Sequence, residues 1–201
     1  MTQFIGLDGG KPVKGHLAGL PPCPSADAIE RVVLAIGQVF AFCWLLLVLL
    51  IMLSVAERYA PPITRVAAMV FGPNPGTALG ELQWWLFAAG FMMGLPYAMV
   101  RGAHVRIDVL AEHWPLRRKA WIELIGTVLF LLPFCMLLII YGWPFVLRSI
   151  QLREISASPG GLGAFWLVKS LIVIGPTLLV ACGIARVLRV SNYLFYRSPY
   201  A

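Results

Sequence analysis

The chain has 201 residues, of which 60% are hydrophobic and only 12% charged, whereas soluble domains carry about 25% charged residues. Its mean hydropathy is +0.82, more apolar surface than a domain of this size buries by itself, which excludes a soluble enzyme, a disordered tail and an ordinary nucleic-acid-binding domain. The formal net charge of +7 therefore reads as basic loops at an anionic membrane face.

In chain order, residues 1–30 contain Gly-Gly and Pro-Pro pairs among scattered polar residues and read as a flexible cytoplasmic tail. A bilayer core about 30 Å thick needs roughly 20 apolar residues in a helix. Arg31 and Glu57 bound 25 residues without a charge, which predicts a first span over about 32–56. Ser54-Val55-Ala56 resembles a signal-peptidase site, but the apolar core is longer than a signal sequence uses, so a retained helix is expected. Segment 61–76 opens with Pro61-Pro62 and closes with GPNPG. Ile63, Val66, Val70 and Phe71 fall at helical spacing there, compatible with a short surface helix or with a plain loop.

Glu81 and Arg101 bound 19 uncharged residues, the second expected span, about 82–100. The loop that follows, RGAHVRIDVLAEHWPLRRKAW, mixes charges with apolar residues; Asp108 suits the cap of a short interfacial helix and Pro115 the first turn of the next. Glu123 and Arg148 bound 24 uncharged residues, giving a third span over about 120–147. Lys169 and Arg186 leave only 16 between them. A fourth span over about 164–186 is full length if Lys169 sits near one interface and extends its ammonium outward. Residues 191–201 read as a second cytoplasmic tail. Pro96, Pro133, Pro144 and Pro176 fall inside spans, where bends are the expected result.

The fold class expected is thus an all-α integral membrane protein of four transmembrane helices, with a membrane domain over 31–190. Lys and Arg concentrate on the N-terminal segment, the loop after the second span and the C-terminal tail. The positive-inside rule then puts both termini in the cytoplasm and segments 57–80 and 148–163 outside. Trp84, Trp85, Trp143 and Trp166 mark the outer boundary, Trp114 and Trp121 the inner one. Cys23, Cys43, Cys135 and Cys182 form no CxxC pair and read as small buried hydrophobes. His16, His104 and His113 all avoid mid-span positions where haem ligands would sit. No cofactor, catalytic residue or metal site is expected.

The stretch Glu81 to Leu110, ELQWWLFAAGFMMGLPYAMVRGAHVRIDVL, resembles the small membrane subunit, the DctQ type, of tripartite ATP-independent periplasmic (TRAP) transporters. Members of that family carry His-Val-Arg-Val-Asp after their second span; here it is His104-Val105-Arg106-Ile107-Asp108. A second match runs through Arg153-Glu154-Ile155-Ser156, Pro159-Gly160-Gly161-Leu162 and Trp166-x-x-Lys169, with Gly163 standing where the family commonly has Pro. The resemblance covers about residues 30–190. It implies a small scaffold subunit in the bacterial inner membrane. Its partners would be a large TRAP membrane subunit that moves solute and ions, a periplasmic substrate-binding protein, and membrane lipid, with no nucleic acid. The system would import an organic acid on an ion gradient.

The residues alone also admit a self-sufficient homo-oligomeric transporter or channel, or less readily a membrane-embedded enzyme subunit. The lack of mid-membrane ionisable groups argues against the first and the lack of clustered carboxylates or histidine pairs against the second. Structural or assembly candidates are His104, Arg106, Asp108, Glu154 and Lys169. Arg106 is expected to pair with Asp108 or Glu112 or to bind lipid phosphate. Arg148 and Arg153 are the candidates for docking the periplasmic protein. Glu154 is the only acidic residue between spans three and four, so a pair with Lys169 at the outer boundary is expected.

Overall fold

The computed structural model describes residues 24–102 and 114–195. His104, Arg106 and Asp108, the expected interfacial helix of that loop, and the outermost parts of both tails lie outside these residues. The described elements are helical: α1 (Pro24–Tyr59), α2 (Pro61–Phe71), α3 (Pro75–Arg101), α4 (Leu116–Gly126), a π turn (Thr127–Leu131), α5 (Leu132–Gln151) and α6 (Trp166–Phe195). The π turn joins α4 and α5 into one rod.

Three rods are long and apolar enough to cross a membrane: α1, the α4–α5 rod and α6. α3 is 27 residues long but is not among them, because Gln83, Trp84, Trp85, Pro96 and Tyr97 dilute its apolar run. α1 has 36 residues, about 54 Å at 1.5 Å per residue, well beyond a hydrocarbon core of about 30 Å. It starts at Pro24, so residues 24–30 are helical where a tail was expected. The reason lies in contacts with α6 described below.

α3 and α6 form the middle of the bundle, with α1 against one side and the α4–α5 rod against the other. α1 runs antiparallel to α3: Gly37 meets Tyr97, Gly90 meets Trp44, and the Gln83 side-chain amide donates to the Leu50 carbonyl at 3.1 Å. α3 and α6 run parallel. A Cβ on Gly175 would lie 3.2 Å from both Cβ and the carbonyl oxygen of Met92. That carbonyl is the one Pro96 leaves without its helical donor, so α6 packs closest where α3 is interrupted. Val33, Met99 and Cys182 bury a small cluster where α1, α3 and α6 meet.

The α4–α5 rod widens at Thr127–Leu131, one turn before Pro133. A proline ring clashes with the carbonyl four residues earlier, and a π turn relieves that crowding without breaking the rod. α2 is tied to the end of α1 by Thr64, whose hydroxyl donates to the Glu57 carbonyl at 2.7 Å. Its packed side is Ala67 with half-buried Ile63, Thr64 and Phe71, while Val66, Met69 and Val70 face outward. The expected apolar face is therefore split between the bundle and the surroundings.

Candidate functional site: a strapped end and an arginine-linked end

The two ends of the bundle carry most of its polar chemistry. At one end, residues 152–165 cross from α5 to α6 as a strap held down by side chains. α5 finishes in a Schellman turn: the Arg153 N–H donates to the Ile150 carbonyl at 3.1 Å and the Glu154 N–H to the Ser149 carbonyl at 3.0 Å. Arg153 occupies the left-handed position at φ 46°, where glycine is the usual residue. The reversal sends Glu154 back over the bundle, where its carboxylate meets the Lys169 ammonium. The Phe165 N–H closes the strap onto the Glu154 carbonyl at 3.3 Å.

Lys169 is well covered, with its side chain 12% exposed against 38% for Glu154. Its ammonium also stands 4.2 Å from the Phe145 ring centroid and 5.6 Å from that of Phe165, close enough for attraction to the ring faces. The hydrogen bond from Lys169 holds the Glu154 carboxyl below the usual carboxylate range. Trp84 and Trp85 pack edge-on to Phe165 at 5.7 and 6.1 Å, which seats the aromatic girdle around the pair.

The second fastening is Glu81, a buried carboxylate near the start of α3. One of its oxygens accepts from the Ser156 hydroxyl. The other accepts from the Leu162 N–H at 2.6 Å. Ser156 also pairs through its backbone N–H with the Leu162 carbonyl at 3.2 Å, and its hydroxyl accepts from the Ser158 N–H at 3.1 Å. Gly161 is required by this closeness, since a Cβ there would fall 2.5 Å from Ser156 Cβ and 2.6 Å from Glu81 Oε1. Asn74, at the N-cap of α3, leaves that helix uncapped by its side chain and instead donates to the Pro159 carbonyl at 3.3 Å.

At the opposite end, arginines of α6 hold the other helices. Arg189 donates to Asp27 at 2.6 Å and to Glu30 at 2.9 Å, both on α1. Arg186 pairs with Glu123 on α4 and donates to the Met99 carbonyl of α3 at 2.9 Å. Glu30 is 7% exposed. A carboxylate so covered is favourable only with a partner, which is why the first turns of α1 stay helical against α6. Arg101, beside this cluster at the end of α3, lies over the Tyr97 ring at 5.4 Å.

Of the residues singled out in the sequence, the structure brings Glu154 and Lys169 together, and leaves Arg148 and Arg153 exposed on the strap side. Sequence reasoning used Glu81 only as a span boundary and missed its role as a fastening, along with Asn74. It used Arg186 as a span boundary and missed that Arg186 and Arg189 are bound into the bundle. Among the described residues no group of three or more His, Cys, Asp or Glu side chains is placed to hold a metal ion.

Apolar rods with ion pairs gathered at two ends define a multi-pass membrane protein. The family model described as "Tripartite ATP-independent periplasmic transporters, DctQ component" matches residues 47–192. The chain belongs to this family, a transporter component rather than an enzyme family, and is a multi-pass inner-membrane protein. No curated protein and no solved structure matches the chain.

Proposed function

We propose that this chain is the small scaffold subunit of a TRAP secondary transporter that imports an organic acid on an ion gradient. It works beside a large transport subunit and a periplasmic binding protein. The observation that carries the reading is where the charges sit. Glu81, Glu154 and Lys169 fasten one end, and Asp27, Glu30, Glu123, Arg186 and Arg189 fasten the other. A coupled transporter places polar groups or broken helices at mid-membrane depth to handle solute and ions. Here the ionisable groups just named hold helices and strap to each other.

In this reading α3 is the fourth span, covered in part by α1 and α6 and so under less demand for apolar residues than α1. Both termini face the cytoplasm with the arginine-linked end, and the strap faces the periplasm. α2 lies in the outer interface with Val66, Met69 and Val70 toward lipid. Arg148 and Arg153 sit on the periplasmic side, where charge steers encounter with the binding protein. The left-handed backbone of Arg153 supports this: glycine would avoid the backbone cost, so the guanidinium is retained for another reason. His104, Arg106 and Asp108 are read as structural and cytoplasmic, with Arg106 on lipid phosphate or paired with Asp108 or Glu112.

Detergent extraction of the tagged full-length chain from its native membrane tests the assembly. The expected result is co-purification of a membrane protein with about three times as many spans. Recovery of the chain alone under every mild detergent contradicts it.

A further inference from the structure

A groove of about 640 Å³ runs between α3 and the α4–α5 rod, with α6 as its floor. Met92 stands on one wall, Gly126, Phe130 and Phe134 on the other, and Pro176 lies beneath. No hydroxyl, amide or charged side chain is among its lining residues. The stretch of rod that lines it falls within the charge-free interval between Glu123 and Arg148, so it opens at membrane depth.

Size and chemistry select the occupant. A helix 10 Å across, run from the level of Gly126 to that of Leu138, displaces about 1,400 Å³, more than twice the groove. The walls also offer no polar group to fix the register of a protein partner. An acyl chain is thin and asks only for hydrocarbon, and filling the groove with one recovers the dispersion contacts that a void forfeits. The charges nearby say which lipid. Arg118 is exposed and Lys119 half-buried at the start of α4. Arg118, Ile122 and Gly126 are spaced by four residues, and Lys119 stands seven before Gly126. Both cations are therefore on the groove side of the rod, about 10–12 Å from its first lining residue. Half the hydrocarbon core is about 15 Å thick, so a phosphate at the level of Arg118 lays its acyl chain along Phe130 and Phe134. A Cβ on Gly126 would meet nothing within 4 Å, which leaves the way from the cations into the groove open.

We propose that this groove holds one acyl chain of an anionic phospholipid whose phosphate pairs with Arg118 and Lys119. The site lies within this chain and does not depend on the assembly reading. The rod packs mainly on α6, and the bound lipid braces it against α3 as well.

The test uses the full-length chain purified in detergent and titrated with phosphatidylglycerol, with phosphatidylcholine of the same acyl chains, or with glycerol phosphate. Native mass spectrometry counts retained lipid, and thermal unfolding reads stabilisation. One phosphatidylglycerol is expected to stay bound and to raise the melting temperature, with phosphatidylcholine held about fivefold less tightly or weaker and glycerol phosphate without effect. Arg118→Gln lowers phosphatidylglycerol retention about fivefold, the share of one cation near a headgroup, and leaves phosphatidylcholine unchanged. Gly126→Leu fills the groove and lowers retention of both lipids; Arg118→Gln, a surface change, carries the test if that variant fails to fold. Equal retention of the two lipids, phosphatidylglycerol retention that Arg118→Gln leaves unchanged, or stabilisation by glycerol phosphate alone overturns the proposal. A photo-reactive side chain at Phe130 in the native membrane is expected to form adducts with lipid. Adducts there with a second copy of this chain or with another membrane protein, in place of lipid, also overturn it.

Discussion

Glu154 and Lys169 meet where a covered ammonium would otherwise lack a counter-charge. Lys169→Ala and Glu154→Ala are each expected to lower the thermal stability of the purified chain, and the double variant to lose less than the sum. Strictly additive losses would mean that the two side chains act separately. Because Lys169 holds the Glu154 carboxyl below its ordinary range, the contribution of the carboxylate is fully present at neutral pH. It fades as pH falls through the depressed value. The stability gap between the unsubstituted chain and Glu154→Gln should therefore persist at neutral pH and close only in acid; a gap that widens in acid contradicts the pairing. Gly161 makes a second test at the same scale. Gly161→Ala forces a methyl against Ser156 and Glu81, and overpacking of this kind costs about 1–3 kcal/mol. Lowered thermal stability with faster proteolysis of the strap is expected, and an unchanged strap would mean that Glu81 is not held there.

Between elements, the closest packing is at the α3–α6 crossing. Gly175→Ile places a branched side chain against Met92, whose Cβ and carbonyl are already 3.2 Å from the Cβ position, and should cost about 1–3 kcal/mol. Gly94→Ala, whose added Cβ would meet nothing within 4 Å, should leave stability of the isolated chain unchanged. Equal effects from the two would contradict the crossing. The long rods were legible from charge-free intervals, because a membrane demands apolar length and little else. α2 was legible only as helix or loop, since its outward residues Val66 and Val70 and its packed Ala67 are all apolar and give weak contrast. The start of α1 was not legible. Asp27 and Glu30 look like solvated charges until Arg189, 159 residues beyond Glu30, folds against them. Glu81 was hidden for the same reason, its backbone donor at Leu162 being 81 residues away.

At the scale of the whole molecule, two polar fastenings at opposite ends join four rods. Arg186 and Arg189 of α6 reach α1, α3 and α4, and Glu81 and Lys169 hold the strap across α3 and α6. Buried polar networks of this kind hold helices in one arrangement, which suits a scaffold. The family was legible from short motifs in order.

The central claim is that this chain supports transport without performing it. Uptake of organic acids into proteoliposomes, driven by an imposed ion gradient, tests that most directly. Vesicles holding this chain alone should take up nothing above background, even with the periplasmic binding protein added. Vesicles holding it together with the large subunit and the binding protein should accumulate the acid. Gradient-driven uptake by this chain alone would contradict the account.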